Sequence, residues 1–321
     1  MNKRRLGKSD IEITPIGLGC WQFSQGGNFI GRAWESLPQE AITSVVDTAL
    51  KSGINWFDTA EAYGKGQSER SLAAALTTLG VKPGSVTVAT KWFPFFRTAR
   101  SIASTIETRI ACLAPYPIDL YQIHQPVSFS PIPAQMKEMA KLVKAGKIRT
   151  VGISNFSAKQ MEIAHTALAS EGVTLVSNQV RFNLLDRSIE RNGILATAKK
   201  LGVTIIAYSP LAQGVLSGRF HEDPSLAKKV SFMRKAVGRL GPAALERTRP
   251  LIDELRLIAR AHGVSISQIA LAWEVSFHED TVVAIPGASR PAQAEQSAGA
   301  LAIKLSTAEM ARIDEKSRAV G

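Results

Sequence analysis

Short apolar runs alternate with segments of helical periodicity along the whole chain. In PQEAITSVVDTALKSG, for example, Ala41, Val45, Ala49 and Leu50 fall on one helical face before Gly53 ends the segment. Buried parallel strands read as such apolar runs, and each needs a crossover segment before the next strand. The predicted strands are Ile16–Gly19, Asn55–Asp58, Val86–Lys91, Leu120–His124, Thr150–Ser154, Ser177–Val180, Thr204–Ser209 and Val282–Ile285.

The alternation predicts an α/β fold, specifically a (β/α)8 TIM barrel formed as a single domain by residues 1–321. No Gly/Ser/Pro-rich linker divides the chain, so an open sheet with a second domain fits less well. Before the first strand, RRLGKSDIEIT predicts an N-terminal β-hairpin that plugs the barrel. The segment Pro210–Pro242 after strand seven is too long for a bare connection and predicts a flap over a site. Ser306 and Glu309 predict the cap of a last helix.

Composition excludes several classes of protein. The hydrophobic fraction of 45% and the charged fraction of 21% are those of an ordinary globular protein. No apolar run approaches the ~18 residues of a membrane span, and the N-terminus lacks an apolar signal core, so we expect a cytoplasmic protein. Cys20 and Cys112 are expected as core thiols. The formal charge of +12 permits an anionic partner, but no basic recognition pattern with interleaved aromatics indicates nucleic acid.

Four polar residues at or just after the carboxyl ends of predicted strands suggest one chemistry. A phenol such as Tyr63 titrates near pH ~10, so it donates a proton poorly unless a cation stabilises its phenolate. Lys91 can be that cation, and Asp58 can keep the lysine charged. His124 closes the fourth strand, where a neutral imidazole N–H can bind a carbonyl oxygen that gains charge. Singly, each residue is more often structural; their common edge predicts a site.

Eight stretches in order resemble the aldo-keto reductase family, in its bacterial and plant-type branch related to potassium-channel β subunits. They cover nearly the whole length and read GLGCW, NWFDTAEAYG, VATKW, DLYQIHQP, VGISNFS, SNQVRFNLL, AYSPLAQGVLSG and IPGASRPAQAEQ. The resemblance implies a (β/α)8 barrel that reduces aldehydes or ketones with hydride from a nicotinamide. It implies Tyr63 as the general acid, Lys91 and Asp58 as its tuning pair, and His124 as the residue that orients the carbonyl.

The resemblance also implies where the cofactor binds. No G-x-G-x-x-G follows the first strand, so the pyrophosphate is expected at the turns after strands seven and eight. Ser154, Asn155 and Gln179 correspond to the residues that hold the carboxamide, and Tyr208 to the aromatic residue that stacks on the ring. The cofactor residues implied are Trp21, Asp58, Ser154, Asn155, Gln179, Tyr208, Ser209, Pro210, Leu211, Gln213, Gly214, Gly218, Gly287, Ser289, Arg290, Gln293 and Gln296.

Cofactor preference depends on the residues after the last strand. Where relatives commonly carry a basic residue after Gly-Ala, this chain has Ser289 followed by Arg290. We expect NADPH, because Arg290 can reach a 2′-phosphate and Ser289 can donate to it; use of NADH stays open.

Aromatic residues near strand ends predict an apolar rim for a small aldehyde or ketone, aromatic or sugar-derived. Arg97 and Arg100 leave a carboxylate or phosphate open as an alternative. The chain stops soon after its last helix, which predicts a small and fairly open pocket. The predicted rim residues are Trp21, Trp92, Phe93, Phe95 and Phe96.

Two other functions compete with the reductase prediction. The same fold serves as a potassium-channel β subunit, a nicotinamide-binding regulatory protein with slow turnover, but no channel-docking segment is recognisable. A sugar isomerase needs paired carboxylates or a metal, and the histidines lack ligand spacing. No metal is expected. The sequence leaves the physiological substrate, the oligomeric state and the dominant direction of the reaction open.

Overall fold

The computed structural model describes residues 3–24, 36–230 and 240–320. Eight parallel strands pair with their neighbours in chain order. Parallel bridges from Ile16 to Ala284 and from Gly19 to Gly287 join the first of these strands to the last, so the sheet closes into a barrel. The strands are β1 Arg4–Arg5, β2 Glu12–Ile13, β3 Leu18–Gly19, β4 Trp56–Asp58, β5 Thr87–Trp92, β6 Leu120–Ile123, β7 Thr150–Ser154, β8 Leu175–Arg181, β9 Thr204–Tyr208 and β10 Val282–Ala284.

All eight predicted barrel strands are confirmed, with ends that differ by at most two residues. The strand β8 is longer than predicted because its first residues pair with β7, from Leu175 onward, and its last residues pair with β9, where Arg181 lies opposite Tyr208. The strand β3 is shorter, since Ile16 contributes only an isolated bridge. The sequence pattern therefore predicts where the strands lie, and pairing with neighbouring strands determines the residues at which each strand begins and ends.

Helices cover the outside of the barrel and bury one face each. In the first helix, Ile42, Val45, Val46 and Ala49 are buried. The buried face is therefore rotated from the predicted one, which included two flanking residues that are only partly buried. The main helices are Gln39–Lys51, Gln67–Thr78, Arg100–Leu113, Ile132–Lys144, Ala158–Ala169, Ile194–Leu201, Pro242–His262, Ile266–Ser276, Pro291–Gly299 and Thr307–Val320, and short ones are Ser188–Arg191, Arg219–Glu222 and Leu226–Lys229.

The predicted hairpin and cap are both present. Strands β1 and β2 pair antiparallel, and the apolar hairpin side chains Leu6, Ile11 and Ile13 pack inside the barrel against Trp56 and its neighbours. The hairpin thus plugs the amino-terminal end of the barrel. At the last helix, the Ser306 N–H donates to the Glu309 carboxylate at 2.7 Å, as the capping box requires.

Much of the predicted flap consists of short helical segments. The segments Ala212–Ser217, Arg219–Glu222 and Leu226–Lys229 follow β9, and residues 231–239 of the flap lie outside the described residues.

Both cysteines are buried free thiols, as expected. Across the described part of the chain, no helix is both long and apolar enough to cross a membrane.

Candidate active site

The four predicted catalytic side chains meet at the carboxyl end of the barrel. Lys91 Nζ contacts Asp58 Oδ1, donates to the Thr59 carbonyl at 2.8 Å and lies 3.4 Å from Tyr63 Oη. Parallel pairing places Asp58 beside Ala89, so that Lys91, two residues further on, points into the same barrel mouth. The residue pattern predicted the members of this group, and strand register brings them into contact.

Burial and neighbouring charges have opposite effects on the pKa values of Lys91 and Tyr63. Burial is the largest single influence on Lys91 and lowers its pKa, but Asp58 and Tyr63 together outweigh burial, so the net pKa lies above the usual value. Burial raises the pKa of Tyr63, and Lys91 offsets that only in part. The net direction for Tyr63 is the reverse of the lowering expected from the sequence, because desolvation exceeds the effect of the neighbouring cation. Tyr63 therefore keeps its proton at neutral pH.

His124 is neutral in this environment. Burial lowers its pKa to about 3, and the positive charge of Lys91 adds to the shift. Its ring meets the Tyr63 ring edge-on, with centroids 5.7 Å apart, and its Nδ1 has no hydrogen-bond partner among the described residues. A neutral imidazole beside the phenol can orient a carbonyl oxygen without competing for the proton.

Two glutamines fix the second oxygen of Asp58. Gln122 Nε2 donates to Asp58 Oδ2 at 3.0 Å, and Gln179 Nε2 donates to the same oxygen at 2.9 Å. The sequence analysis missed Gln122. The period of two along a strand could have indicated Gln122, because it puts Gln122 on the same face as His124.

Glu61, also missed, ties the Tyr63 loop to the end of β5. Its Oε1 accepts the Phe93 N–H at 2.5 Å and an Arg97 guanidinium N–H at 2.6 Å. The Glu61 side chain is buried and the Arg97 side chain is 36% exposed, so the carboxylate end of this charge-assisted contact is shielded from water. Arg97, which the sequence offered as a partner for a substrate anion, is therefore paired with Glu61. The sequence feature that could have indicated Glu61 is that it is an acidic residue between the apolar positions of DTAEAYG.

A cavity of about 660 Å³ contains the Tyr63 and His124 side chains and extends toward the turns after β9 and β10. Gly218 does not line it: its φ is +77°, and a Cβ there would come 2.6 Å from Ile266. The remaining implied cofactor residues all line the cavity, namely Trp21, Asp58, Ser154, Asn155, Gln179, Tyr208, Ser209, Pro210, Leu211, Gln213, Gly214, Gly287, Ser289, Arg290, Gln293 and Gln296.

One end of the cavity is organised for a planar polar group. The Tyr208 hydroxyl donates to Asn155 Oδ1 at 3.0 Å, and Asn155 Nδ2 donates to Ser154 Oγ at 3.0 Å. Ser154 Oγ in turn donates to the Gln179 carbonyl at 2.9 Å. Asn155 has a φ of +63°, so the chain turns sharply where β7 ends. An amide group and an aromatic face fit a nicotinamide here.

The other end carries two cations. Arg219 and Arg290 both line the cavity; burial lowers the pKa of Arg219, and the positive charge of Arg290 lowers it further. Arg219 Nε is buried and has no hydrogen-bond partner among the described residues. Gln293 Oε1 accepts from the Ser289 N–H at 2.8 Å, which holds that turn together. Two close guanidiniums fit the phosphates of a dinucleotide. Arg219 was missed, although it directly follows SPLAQGVLSG.

The predicted aromatic rim is only partly correct. Trp21 and Phe93 line the cavity. Trp92 is fully buried, and its Nε1 donates to Ser101 Oγ at 3.1 Å, so its assignment to the rim was wrong. The reason is alternation along β5, which sends Trp92 to the helix layer. Phe95 and Phe96 are exposed, at 45% and 86%, and extend an aromatic row outward from Phe93.

Residues 15–318 match the model of the aldo/keto reductase family. The chain belongs to that family. An uncharacterized oxidoreductase of Mycobacterium tuberculosis is 35% identical over 311 residues, which are 96% of this chain and 90% of that protein. A protein of Glycine max named probable aldo-keto reductase 1 is 30% identical over 97% of this chain and 87% of its own length. This aldo/keto reductase is accordingly an NAD(P)H-dependent oxidoreductase.

Solved structures agree with the family assignment. A thermostable aldo-keto reductase in complex with the inhibitor epalrestat superposes with a TM-score of 0.78 at 30% identity, covering 98% of this chain and 100% of that one. The aldo/keto reductase from Klebsiella pneumoniae in complex with NADP and acetate gives a TM-score of 0.74 at 25% identity, covering 98% and 95%.

Proposed function

We propose that this aldo/keto reductase reduces small aldehydes or ketones to alcohols with NADPH, and that Tyr63 is the general acid. The observation that carries the proposal is the buried Lys91 ammonium, which contacts both Asp58 and the Tyr63 hydroxyl. Tyr208, the other phenol that lines the cavity, donates a hydrogen bond to Asn155 and lies beside the Arg181 guanidinium instead of a buried ammonium.

The chain's residues supply the proton and the positioning. When bound, reduced nicotinamide supplies a hydride to the carbonyl carbon. The neutral His124 donates a hydrogen bond to the carbonyl oxygen, and Tyr63 gives its proton to that oxygen as negative charge develops. Lys91 then balances the phenolate charge, and Asp58, held by two glutamine amides, keeps Lys91 protonated.

The same cavity supports the assignment of NADPH. Tyr208 offers a face for the nicotinamide ring, and Ser154, Asn155 and Gln179 offer polar groups for its carboxamide. Arg219 and Arg290 supply two positive charges for the phosphates, so a cofactor with the additional 2′-phosphate is favoured over NADH. Trp21 and Phe93 favour an apolar or ring-bearing carbonyl substrate.

The test follows the loss of reduced-nicotinamide absorbance with NADPH and with NADH, each against an aromatic aldehyde and a small aliphatic aldehyde. Tyr63→Phe is the matched variant, because it removes the hydroxyl alone. We expect kcat to fall about 100-fold or more, in the range that general acid catalysis contributes, while cofactor fluorescence titrations still show binding. Tight cofactor binding with negligible wild-type turnover of either aldehyde would instead support the regulatory, channel-β-like function.

A further inference from the structure

A second cavity adjoins the active site behind the loop that follows β9. It has a volume of about 240 Å³ and shares Arg181, Ser209 and Gln213 with the larger cavity. Arg181 is the last residue of β8, two positions after Gln179, so the period of a strand directs both side chains toward the barrel mouth. Arg181 therefore lines both the larger cavity, which Tyr63 and His124 also line, and the second cavity.

The walls of the second cavity carry an excess of positive charge. Four arginines line it, and one of them, the buried Arg187, is neutralised by Glu190 and Asp314. For the other three, no ion pair is made within the described ranges. The one carboxylate in the lining, Asp186, accepts a hydrogen bond from the Ser188 hydroxyl at 2.8 Å. The unpaired arginines are Arg181, Arg191 and Arg247.

Arg181 is also fixed in place. It lies opposite Tyr208 in the strand register, and its guanidinium carbon lies 5.9 Å from the centre of the Tyr208 ring. The Arg181 guanidinium also hydrogen-bonds the Tyr208 side chain, and its remaining N–H donors stay available for a ligand. Such a group binds a carboxylate or phosphate with a geometry that lysine does not match.

We propose that Arg181, with the arginine-lined cavity behind it, binds an anionic group of the substrate. The substrate class is a carbonyl compound with a carboxylate or phosphate several bonds away from the carbonyl. This inference rests on the proposed reductase function and deepens it, because Tyr63 and Arg181 line the same larger cavity. Arg181 is then the residue that determines specificity, and Arg97, paired with Glu61, is not.

The experiment compares matched substrate pairs with NADPH as the cofactor. The carboxylate pair is succinic semialdehyde and its methyl ester; the phosphate pair is glyceraldehyde 3-phosphate and glyceraldehyde. The measured quantity is the ratio of kcat/KM for the anionic member to that for the neutral member. The wild type is expected to give a ratio of about 10 or more in at least one pair, and the pair that shows it identifies the anion.

Arg181→Gln is expected to lower that ratio about 10- to 100-fold, the range for losing a hydrogen-bonded charge, and Arg181→Lys to restore part of it. The matched control is Arg100→Gln, which removes the same charge from an exposed position and should keep the wild-type ratio. A ratio near one in the wild type, or a ratio that falls with Arg100→Gln and not with Arg181→Gln, would overturn the proposal.

The two proposals fail in different ways. If neither the neutral nor the anionic members are reduced, the reductase function itself is refuted, and this inference is refuted with it. If the neutral members are reduced in a Tyr63-dependent reaction and the anionic members show no higher kcat/KM, the reductase function stands and only the anion site is refuted.

Discussion

Glu274 offers a test of the electrostatics of the fold itself. It lies in the helix Ile266–Ser276, is 1% exposed, and neither carboxyl oxygen has a hydrogen-bond partner among the described residues. Burial without a partner raises its pKa well above the ordinary value of 4.5. The folded protein therefore holds Glu274 as a neutral acid in conditions where the unfolded chain has already released that proton.

The sign and size of the effect follow from linkage. For a carboxyl whose pKa is raised on folding, stability is unaffected below the unfolded pKa and is lost as the pH rises from there toward the folded pKa. Each pH unit in that window costs about 1.4 kcal/mol. Above pH 5 the free energy of unfolding should therefore fall by about 1.4 kcal/mol for each pH unit, until the folded pKa is reached, on account of Glu274 alone.

The variant Glu274→Gln keeps the shape of the side chain and removes its ionisable carboxyl group. We expect its free energy of unfolding relative to wild type to rise by that amount for each pH unit above pH 5. For a chain of 321 residues this corresponds to a relative shift in Tm of about 2 °C for each pH unit. The assay is thermal denaturation followed by circular dichroism at several pH values and one ionic strength. Glu279→Gln, at a side chain 84% exposed, is the control. A difference that stays constant with pH would refute the reasoning.

Three further predictions concern the active site. Replacing Glu61 by Gln weakens its hydrogen bond with Arg97 and should lower kcat about 10-fold. Because Arg97→Gln breaks the same contact, the double variant should have a kcat little lower than that of either single variant. Losses in kcat that add up in the double variant would contradict this coupling. The pKa of His124, about 3, means that kcat/KM should show no break from its protonation between pH 5 and pH 8; a break near 6.5 that disappears in His124→Gln would contradict this. Arg290→Ala should weaken NADPH binding about 10-fold and spare NADH in fluorescence titrations, whereas an equal loss for both would remove Arg290 from the 2′-phosphate site.

The alternation of apolar runs with segments of helical period was enough to predict a barrel in preference to an open sheet. A strand buried on both faces has to be apolar, and the crossover helix that follows has to bury one stripe, so both leave a period in the sequence. The polar residues at strand ends stand out against that background. For this reason Asp58, Tyr63, Lys91 and His124 could be identified before any contact was known.

Only the tertiary structure decided which polar groups touch. The contacts of Gln122 and Gln179 with Asp58 join residues 64 and 121 positions away along the chain, and they depend on the register of separate strands. Trp92 was misplaced because it was assigned by its nearness to the strand end, although alternation from Lys91 places it on the opposite side of β5. Arg181 and Arg219 became visible only where loops enclose cavities. Periodicity gives the face of a residue within its own element, whereas contacts between elements depend on how strands and loops far apart in sequence are packed together.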